Sequence, residues 1–438
     1  MKTWQASVSR ILLLLCGLLL LLGTTGTREA EVKVPELSGR INAFTFDLLR
    51  QCARAEPGAA NVVLSPQSVF HGLAMSYVAS GGRTREELYR VVHFPADHQA
   101  LMTDLARLRQ QLLKTGHGKR MDFRLANGLW LDGTYAEFRQ EYLKDMREGF
   151  GAELRVVKFA QADQACKEIN QWIAKQTRGK IAAGIEPSDL ESRSSIGVID
   201  EPALVAVNAV YFKADWGSRF VPGATRKQPF HVTDTVTADV TMMYQQAPLA
   251  YAASATMQFL EIPYIGGDYA MYVVLPRKNL PVRELLAAVT ADEMLHLQRN
   301  ATEHRVDVLF PKFELRSHLR VKDALAAMGV KTVFDKQTAD LDRMIIKRFE
   351  AFRVYLSQVY HDAWIDVHEE GTEAAAATTA VHFSIGCSAA PGPPLAYFHA
   401  DHPFLFAIVH QESQSIVFAG WVADPRLLAA AGATGNGK

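Results

Sequence analysis

The spacing of apolar residues predicts that the first half of the chain is mainly helical. In residues 35–54, apolar side chains recur every three or four positions and would form one face of a helix. Ser65 followed by Pro66 is typical of a helix start, because Ser caps free backbone amides and Pro tolerates the first turn. Residues 84–87 match a capping box for a third helix. Residues 163–177 again have helical periodicity and predict a fourth helix.

The second half of the chain has the pattern of strands. Residues 203–212 are nearly all apolar, which predicts a strand covered on both faces. Residues 269–275 and 306–313 are similar, and 404–409 with 416–422 resemble two strands paired around a polar turn. Helices together with large, mainly antiparallel sheets predict an α+β fold.

The N-terminus has the pattern of a secretory signal peptide. Lys2 and Arg10 precede an apolar run over residues 11–22, and small residues follow at positions 23–26. A membrane span needs roughly 20 apolar residues, so this run is short for an anchor. We therefore predict that residues 1–26 are removed and that the protein is secreted. It would be extracellular, or periplasmic or at the cell surface in a bacterium, with no membrane association after cleavage.

Composition and charge exclude several classes of function. The 438 residues carry 47 Lys and Arg against 47 Asp and Glu, so no cationic surplus is available for nucleic acid. Removal of residues 1–26 leaves Cys52, Cys166 and Cys387, an odd number that does not suit a disulfide scaffold. Asn300, in the sequence Asn-Ala-Thr, is a candidate N-glycosylation site.

Motifs typical of enzymes and cofactor sites are missing from the sequence. We find no G-x-S-x-G, H-E-x-x-H, C-x-x-C, Walker A or G-x-G-x-x-G pattern. A thiol nucleophile at Cys387 would need an orienting partner that its Gly- and Pro-rich surroundings do not supply. We therefore expect no enzyme activity, no cofactor and no metal site.

Residues 369–394 do not resemble ordinary core. Residues 369–380 are small and lack a hydrophobic face, and residues 384–394 are rich in Gly, Ser and Pro. The connection is longer than the 12–15 residues beyond which loops are usually functional or disordered. Composition alone allows a simple surface loop. Small alternate residues would also allow the segment to enter between two strands, with Thr372 and Ala374 facing inward.

The same segment resembles the serpins, the serine protease inhibitor family. EEGTEAAAATTA and FHADHPFLFAIVH are similar to the hinge of that family and to the strand after its reactive loop. Further similarity in residues 61–88, 168–181 and 204–216 extends the resemblance from about residue 37 to 425. The resemblance implies about eight to nine helices around three mainly antiparallel β-sheets, with an exposed reactive loop. The implied regions are a signal peptide (1–26), an extension (27–36), a serpin domain (37–425, loop about 369–402) and a flexible tail (426–438).

The resemblance also implies a mechanism. A target serine protease cleaves the loop, the loop inserts into the main sheet, and the covalent acyl-enzyme is trapped; the inhibitor is expected to be a monomer. The residues that would act as the hinge are Glu370, Gly371, Thr372, Glu373, Ala374, Ala375, Ala376, Ala377 and Thr378. Four residues match the family's shutter, where the sheet parts: Ser65, Ser68, Asn208 and His361. Trp216 matches the family's breach, where insertion begins.

The scissile bond follows from counting along the loop. The usual fifteen residues from Gly371 lead to Ile385-Gly386, whereas counting back from Pro403 leads to Gly392, a poor bait residue. Ile385 suits an elastase- or subtilisin-like protease, and Phe383 is an alternative bait for a chymotrypsin-like one. Since Arg and Lys are absent from residues 371–403, trypsin-like targets are not expected.

Two alternatives and one further partner remain open. The chain could inhibit cysteine proteases, or it could be a non-inhibitory serpin that carries a ligand or acts as a chaperone, although its small hinge residues favour inhibition. Some serpins bind heparin in the region around residues 107–124, which makes a glycosaminoglycan a candidate partner. The basic residues in this region are Arg107, Arg109, Lys114, Lys119, Arg120 and Arg124.

Overall fold

The helical periodicity of residues 35–54 forms the first helix of the structure, α1, over Val34–Ala55. The computed structural model describes residues 34–55, 59–114, 120–181, 184–190, 204–350, 352–372 and 393–427. These residues belong to one compact unit that begins at Val34. The predicted signal peptide lies outside the described residues. Among the helices that the model describes, none is long and apolar enough to cross a membrane.

Ten α-helices are present in the described part of the chain, slightly more than the eight to nine that the resemblance implies. After α1 they are α2 (Pro66–Ala79), α3 (Gly82–Val91), α4 (His98–Leu113), α5 (Gln140–Asp145), α6 (Ala162–Gln176), α7 (Pro187–Leu190), α8 (Val282–Ala288), α9 (Ala291–Asn300) and α10 (Lys322–Met328). Helix α2 begins as predicted, with the Ser65 hydroxyl accepting a hydrogen bond from the Ser68 amide.

The strands form three sheets within the described residues, and the predicted α+β class is confirmed. In chain order the strands are β1 (Asn61–Leu64), β2 (Met121–Asp132), β3 (Ala136–Phe138), β4 (Glu153–Val157), β5 (Leu204–Asp215), β6 (Arg226–His231), β7 (Thr237–Ala253), β8 (Met257–Pro263), β9 (Tyr269–Pro276), β10 (Thr302–Pro311), β11 (Phe313–Arg320), β12 (Ile345–Lys347), β13 (Leu356–His368), β14 (Gly371–Thr372), β15 (Leu395–His399), β16 (Phe404–His410) and β17 (Ser415–Val422).

The sheets have distinct strand orders. A nine-stranded sheet has the order β1-β17-β16-β9-β8-β7-β10-β15, with β6 also paired to β7, and β12 pairs with β3 in a small sheet. A six-stranded sheet has the order β11-β13-β14-β5-β2-β4. Pairing is antiparallel except for β10–β15, β13–β5 and β2–β4. This agrees with the mainly antiparallel arrangement that the resemblance implies.

Strand β5 is covered on both faces, as its apolar sequence predicts. Leu204, Ala206 and Val210 belong to the main core, which β5 shares with the nine-stranded sheet and helix α2. Val205 and Val207, which alternate with them, pack in a second apolar cluster with residues of α6. Helix α6 therefore covers one face of the six-stranded sheet, while the main core covers the other.

The predicted capping box at residues 84–87 is wrong. Helix α3 already begins at Gly82, so Thr84 lies inside the helix, where its hydroxyl accepts a hydrogen bond from the Asp340 amide. The Glu87 carboxylate accepts the backbone amides of Lys331 and Thr332, each at 2.7 Å. Both side chains bind a distant segment instead of the helix terminus, which local sequence does not reveal.

Candidate functional site

The candidate site lies at the end of the six-stranded sheet where the chain enters the predicted reactive loop. Strand β14 lies between β13 and β5 and is antiparallel to both. Gly371 pairs with His368 and with Asp215, and farther along the sheet β13 and β5 pair directly with each other. Two hinge positions are therefore already in the sheet. Outside the described residues lie Glu373, Ala374, Ala375, Ala376, Ala377, Thr378, Phe383, Ile385 and Gly386.

Glycine at position 371 allows this close approach of three strands. A Cβ atom on Gly371 would lie 2.2 Å from the carbonyl oxygen of Ala214 and 2.6 Å from the Cα of Asp215. These are backbone atoms, so the clash could not be relieved by a side-chain rotation. The chain can therefore enter the sheet at residue 371 because glycine has no side chain there.

Thr372 is held in the sheet by a stack of aromatic residues beneath it. Thr372 is fully buried, and its hydroxyl is 2.8 Å from the Tyr264 hydroxyl. The ring of Tyr264 stacks on Trp216, with centroids 4.5 Å apart and ring planes 12° apart. The Trp216 indole Nε1 donates to the carbonyl of His368, and its backbone amide donates to the carbonyl of Glu370, both at 2.9 Å. Trp216, the predicted breach residue, thus binds the two backbone carbonyls of His368 and Glu370 that lie just before β14.

The carboxylate of Glu369 holds the strand just before the hinge. It accepts hydrogen bonds from the Thr225 hydroxyl at 2.9 Å and from Lys312 Nζ at 3.1 Å. Partial burial raises the pKa of Glu369, but hydrogen bonds from its own backbone amide, Lys312 and Thr225 outweigh burial and leave the pKa below its usual value. Glu369 is therefore ionised at neutral pH and ties β13 to neighbouring elements.

A row of buried polar side chains crosses the middle of the same sheet. Asn127 of β2, Asn208 of β5 and His361 of β13 are register partners across the three strands. Asn208 Nδ2 donates to Asn127 Oδ1 at 2.8 Å, and the Ser68 hydroxyl donates to the same oxygen at 3.2 Å. The Ser65 amide donates to His361 Nε2 at 2.9 Å. The structure therefore brings together the four predicted shutter residues and adds Asn127.

His361 is neutral in this environment. It is fully buried, and burial together with the nearby His318 lowers its pKa to about 3. Because Nε2 accepts the hydrogen bond from Ser65, the proton of the neutral ring is on Nδ1. His361 Nδ1 and Asn208 Oδ1 have no hydrogen-bond partner within the described part of the chain.

The predicted basic cluster has no single environment. Arg120 pairs with Asp215 at 3.1 Å, and Arg124 pairs with Asp122 at 3.3 Å. The guanidinium of Arg109 lies against Gly151 and is half-buried, and this burial lowers its pKa. Arg107 is half-buried on α4, and Lys114 is exposed at the end of the same helix. Lys119 lies outside the described residues.

Sequence reasoning did not identify Tyr264, Thr225, Lys312 or Asn127 as site residues. Tyr264 is 108 positions from Thr372, and Lys312 is 57 positions from Glu369, so no local pattern relates them. Asn127 has a weak signal, since it is a polar residue within the otherwise apolar stretch of β2. The predicted glycosylation residue, Asn300, is exposed at the end of α9.

Comparisons with known proteins give one consistent result. The family model for serpins, described as serine protease inhibitors, matches residues 40–425. An uncharacterised serpin-like protein of Thermococcus kodakarensis is 34% identical over 391 residues, covering 88% of this chain and 85% of that protein. Leukocyte elastase inhibitor A of Mus musculus is 32% identical over 400 residues, covering 89% of this chain and all of that protein. The crystal structure of Serpin48, a highly specific serpin of the insect Tenebrio molitor, superposes with a TM-score of 0.76 at 27% identity, covering 91% of this chain and 99% of that one.

Proposed function

The chain belongs to the serpin family, and from this premise we propose that it is a secreted suicide-substrate inhibitor of serine-type endopeptidases. The observation that carries the proposal is the position of β14. Gly371 and Thr372 already lie between β13 and β5 at the end of the six-stranded sheet where β5 ends. The alternate residues that would face inward after Thr372 begin with Ala374, Ala376, Thr378 and Ala380, which are small and would extend this strand without a steric clash. The hinge therefore has both a starting point in the sheet and a side-chain sequence suited to insertion.

Covalent trapping follows from the chemistry of the target protease. The protease serine oxygen adds to the Ile385 carbonyl carbon, and the bond to Gly386 breaks as its nitrogen takes up a proton and leaves as an amine. The product is an ester between the protease and Ile385, which water would normally hydrolyse. Insertion of the loop carries this ester to the other end of the sheet before hydrolysis occurs.

The length of the receiving sheet supports Ile385-Gly386 as the scissile bond. Strand β5 has 12 residues, from Leu204 to Asp215, and Gly371 pairs with Asp215 at one end. In the same register, the inserted loop would reach Leu204 at position 382. Ile385 would then emerge just beyond the end of the strand, where an attached protease has space. A bond at Gly392 would leave a long unpaired segment between the sheet and the protease.

We propose an elastase-, chymotrypsin- or subtilisin-like target. Ile385 is a branched aliphatic residue that suits an apolar primary pocket, and Phe383 supplies an alternative for a pocket that accepts aromatic rings. Arg and Lys are absent from residues 371–403, so the loop offers nothing to a pocket that requires a cation. The chain is proposed to act as a monomer without a cofactor.

Secretion rests on the signal pattern of residues 1–26. Expression of the full chain in a secreting host should release a protein whose first residue lies close to position 27. N-terminal sequencing of the medium fraction measures this directly. Retention of Lys2 and Arg10 on the released protein would contradict signal cleavage.

The inhibitory function is tested by incubating the mature protein with the three classes of protease. We expect a denaturation-resistant band at the summed mass of inhibitor and protease, together with a new N-terminus at Gly386. Ile385→Arg should transfer trapping to a trypsin-like protease, whereas Phe383→Ala should leave it with the original target. Complete cleavage without a covalent band would contradict inhibition and favour the carrier or chaperone function. Trapping of a papain-like enzyme alone would favour the cysteine protease alternative.

A glycosaminoglycan remains a proposed second partner. The proposal rests on the basic residues between positions 107 and 124. Lys114 is exposed at the end of α4, whereas Arg107 and Arg109 are half-buried and Arg120 and Arg124 are ion-paired. Heparin-affinity elution should shift to lower salt in Lys114→Ala and Arg107→Ala. Lys227→Ala, an exposed lysine on β6, is the matched control. An equal shift in all three variants would indicate binding through net charge alone.

A further inference from the structure

A cavity of about 470 Å³ lies beside the C-terminal end of α1. Its walls come from this helix, from the residues before β1, from the turn between β6 and β7, from the connection between β9 and α8, and from the end of β17. The volume is within the range of roughly 300–1,000 Å³ that is usual for small-molecule sites. The lining residues include none of the breach and shutter residues, so the inference does not depend on protease inhibition.

The cavity exists because alanines surround a large aromatic ring. Trp421 is 1% exposed, and its indole N–H donates to the carbonyl of Ala59 at 3.4 Å, so its polar atom is satisfied and its ring forms an apolar wall. Ala53, Ala60 and Ala423 line the same space, and none of them has a side chain long enough to fill it. An apolar lining offers water few hydrogen-bond partners, so an apolar ligand that displaces this water would gain free energy.

Hydrogen bonds between the walls fix the shape of the cavity. The Ala423 amide donates to the carbonyl of Ala60 at 2.9 Å, and Asn279 Nδ2 donates to the carbonyl of His231 at 3.1 Å. The first bond joins the end of β17 to the residues before β1, and the second joins the β9–α8 connection to the end of β6. The cavity is therefore formed before a ligand binds, as is usual for small-molecule sites.

One cation is fixed at this cavity. Arg283 Nε donates to the carbonyl of Ala53 at 3.2 Å, which places the guanidinium beside the apolar wall. Arg283 makes no ion pair within the described residues, so its remaining N–H groups are available to a ligand. Asp234 is the only carboxylate among the lining residues; it is exposed, and no hydrogen bond from the described residues holds it. The held guanidinium is therefore the better pre-organised group, and it can bind an anion through two N–H donors.

We propose that this cavity binds a small amphipathic anion, with an apolar ring system against Trp421 and a carboxylate or sulfonate on Arg283. A body of about two to three rings fits the volume. An anion without an apolar body would gain only the contact with a solvent-exposed guanidinium, and an uncharged apolar molecule would leave the guanidinium unused. Both parts of the ligand therefore contribute to binding at this site.

Two fluorescent probes of similar shape test the site: anilinonaphthalene sulfonate, which is an anion, and phenylnaphthylamine, which is uncharged. Arg283→Gln removes the cation, and Asp234→Asn removes the carboxylate from the same cavity. Ala59→Leu and Ala423→Leu add side-chain volume at two half-buried lining positions. Arg299→Gln, which changes an exposed arginine at the end of α9 that does not line the cavity, is the matched control.

The measurements are the dissociation constant and the stoichiometry of each probe, and the melting temperature of each variant checks its folding. We expect one probe molecule per chain. Arg283→Gln should weaken binding of the anionic probe about tenfold and leave the uncharged probe unchanged, because only the anion uses the guanidinium. Asp234→Asn should strengthen binding of the anionic probe about twofold, since it removes a nearby like charge. Both leucine variants should weaken both probes.

Three outcomes would overturn the inference. If folded Ala59→Leu and Ala423→Leu bind both probes as the parent does, the cavity is not the binding site. Equal weakening of the anionic probe in Arg283→Gln and Arg299→Gln would mean that net charge, and not the cavity, attracts the anion. If Arg283→Gln leaves the anionic probe unchanged, the assigned class of ligand is wrong. The comparison of Arg283→Gln with Arg299→Gln decides the question even if the leucine variants do not fold.

Discussion

The hydroxyl groups of Thr372 and Tyr264 lie 2.8 Å apart beneath the entrance to the six-stranded sheet. Thr372 belongs to the proposed hinge of the reactive loop, and Tyr264 stacks on Trp216, whose indole binds the end of β13. The contact fastens the first inward-facing loop residue to the core. It therefore links the state of the loop to the aromatic packing at the breach.

Removal of this contact should loosen β14. Tyr264→Phe keeps the ring that stacks on Trp216 but leaves the buried Thr372 hydroxyl without its partner, a loss of about 1 kcal/mol. We expect the amide hydrogens of Gly371 and Thr372 to exchange about fivefold faster, as measured by hydrogen–deuterium exchange. Tyr272→Phe, in the nine-stranded sheet, is the control. Equal exchange at the hinge in both variants would show that the Tyr264 hydroxyl does not hold β14.

The ion pair between Glu369 and Lys312 should stabilise the same end of the sheet. Glu369 is mostly buried, whereas the Lys312 side chain is 45% exposed, so the pair itself is expected to contribute only about 0.5–1 kcal/mol. Glu369→Lys should cost more, because it also places two cations together and removes the acceptor of Thr225. The measurement is the melting temperature of the uncleaved protein. Lys312→Glu combined with Glu369→Lys should recover part of the loss, and no recovery would argue against direct coupling.

His361 should make stability fall in mild acid. Its pKa is about 3 in the folded protein, because of burial and the nearby His318, against 6.5 for an ordinary histidine. Below pH 6.5 the unfolded chain therefore binds a proton at this residue that the folded chain does not bind. The contribution of His361 to the free energy of unfolding is complete above pH 6.5 and is lost as the pH falls toward 3. The slope is about 1.4 kcal/mol per pH unit for this residue.

This dependence can be measured from the melting temperature between pH 7 and pH 4.5. His71 is also buried and has a pKa lowered to about 4, so it adds a second proton to the parent's slope. His361→Gln should therefore lower the melting temperature at pH 7. It should also reduce by about one the number of protons taken up on unfolding in acid, and so flatten the pH dependence. An unchanged slope in this variant would mean that His361 is not excluded from protonation.

Arginine at position 372 should convert the inhibitor into a substrate. Thr372 is fully buried in β14, and burying an unpaired guanidinium there would cost several kcal/mol, so the first step of insertion is opposed. We expect Thr372→Arg to be cleaved by the target protease with most of the covalent band lost from a denaturing gel. Thr379→Arg, which would point to the opposite face, is the control. Trapping at the parental level by Thr372→Arg would contradict insertion through this position.

Local patterns predicted the longer, strongly periodic helices and several of the apolar strands, because periodicity reports which face of each element is buried. Residues 35–54 and 203–212 formed α1 and β5 for this reason. The capping box at residues 84–87 failed, since Thr84 and Glu87 bind residues that are about 245 to 256 positions away. Tyr264 and Lys312 were not predicted for the same reason, since they lie far along the chain from Thr372 and Glu369. The identification of Trp216 and His361 depended on the family resemblance and not on any local signal.

The amino-acid sequence by itself determined that residues 371–385 are mostly small and include no Lys or Arg. It also determined the apolar periodicity of the strands. Only the tertiary structure decided that Gly371 and Thr372 already lie in the six-stranded sheet, and which row of that sheet has open hydrogen-bond positions. Composition and periodicity are local properties of the chain, so they can be recognised without a fold. Strand register, and the partners of a buried hydroxyl, amide or imidazole, depend on contacts between residues far apart in sequence, and these exist only once the strands have paired.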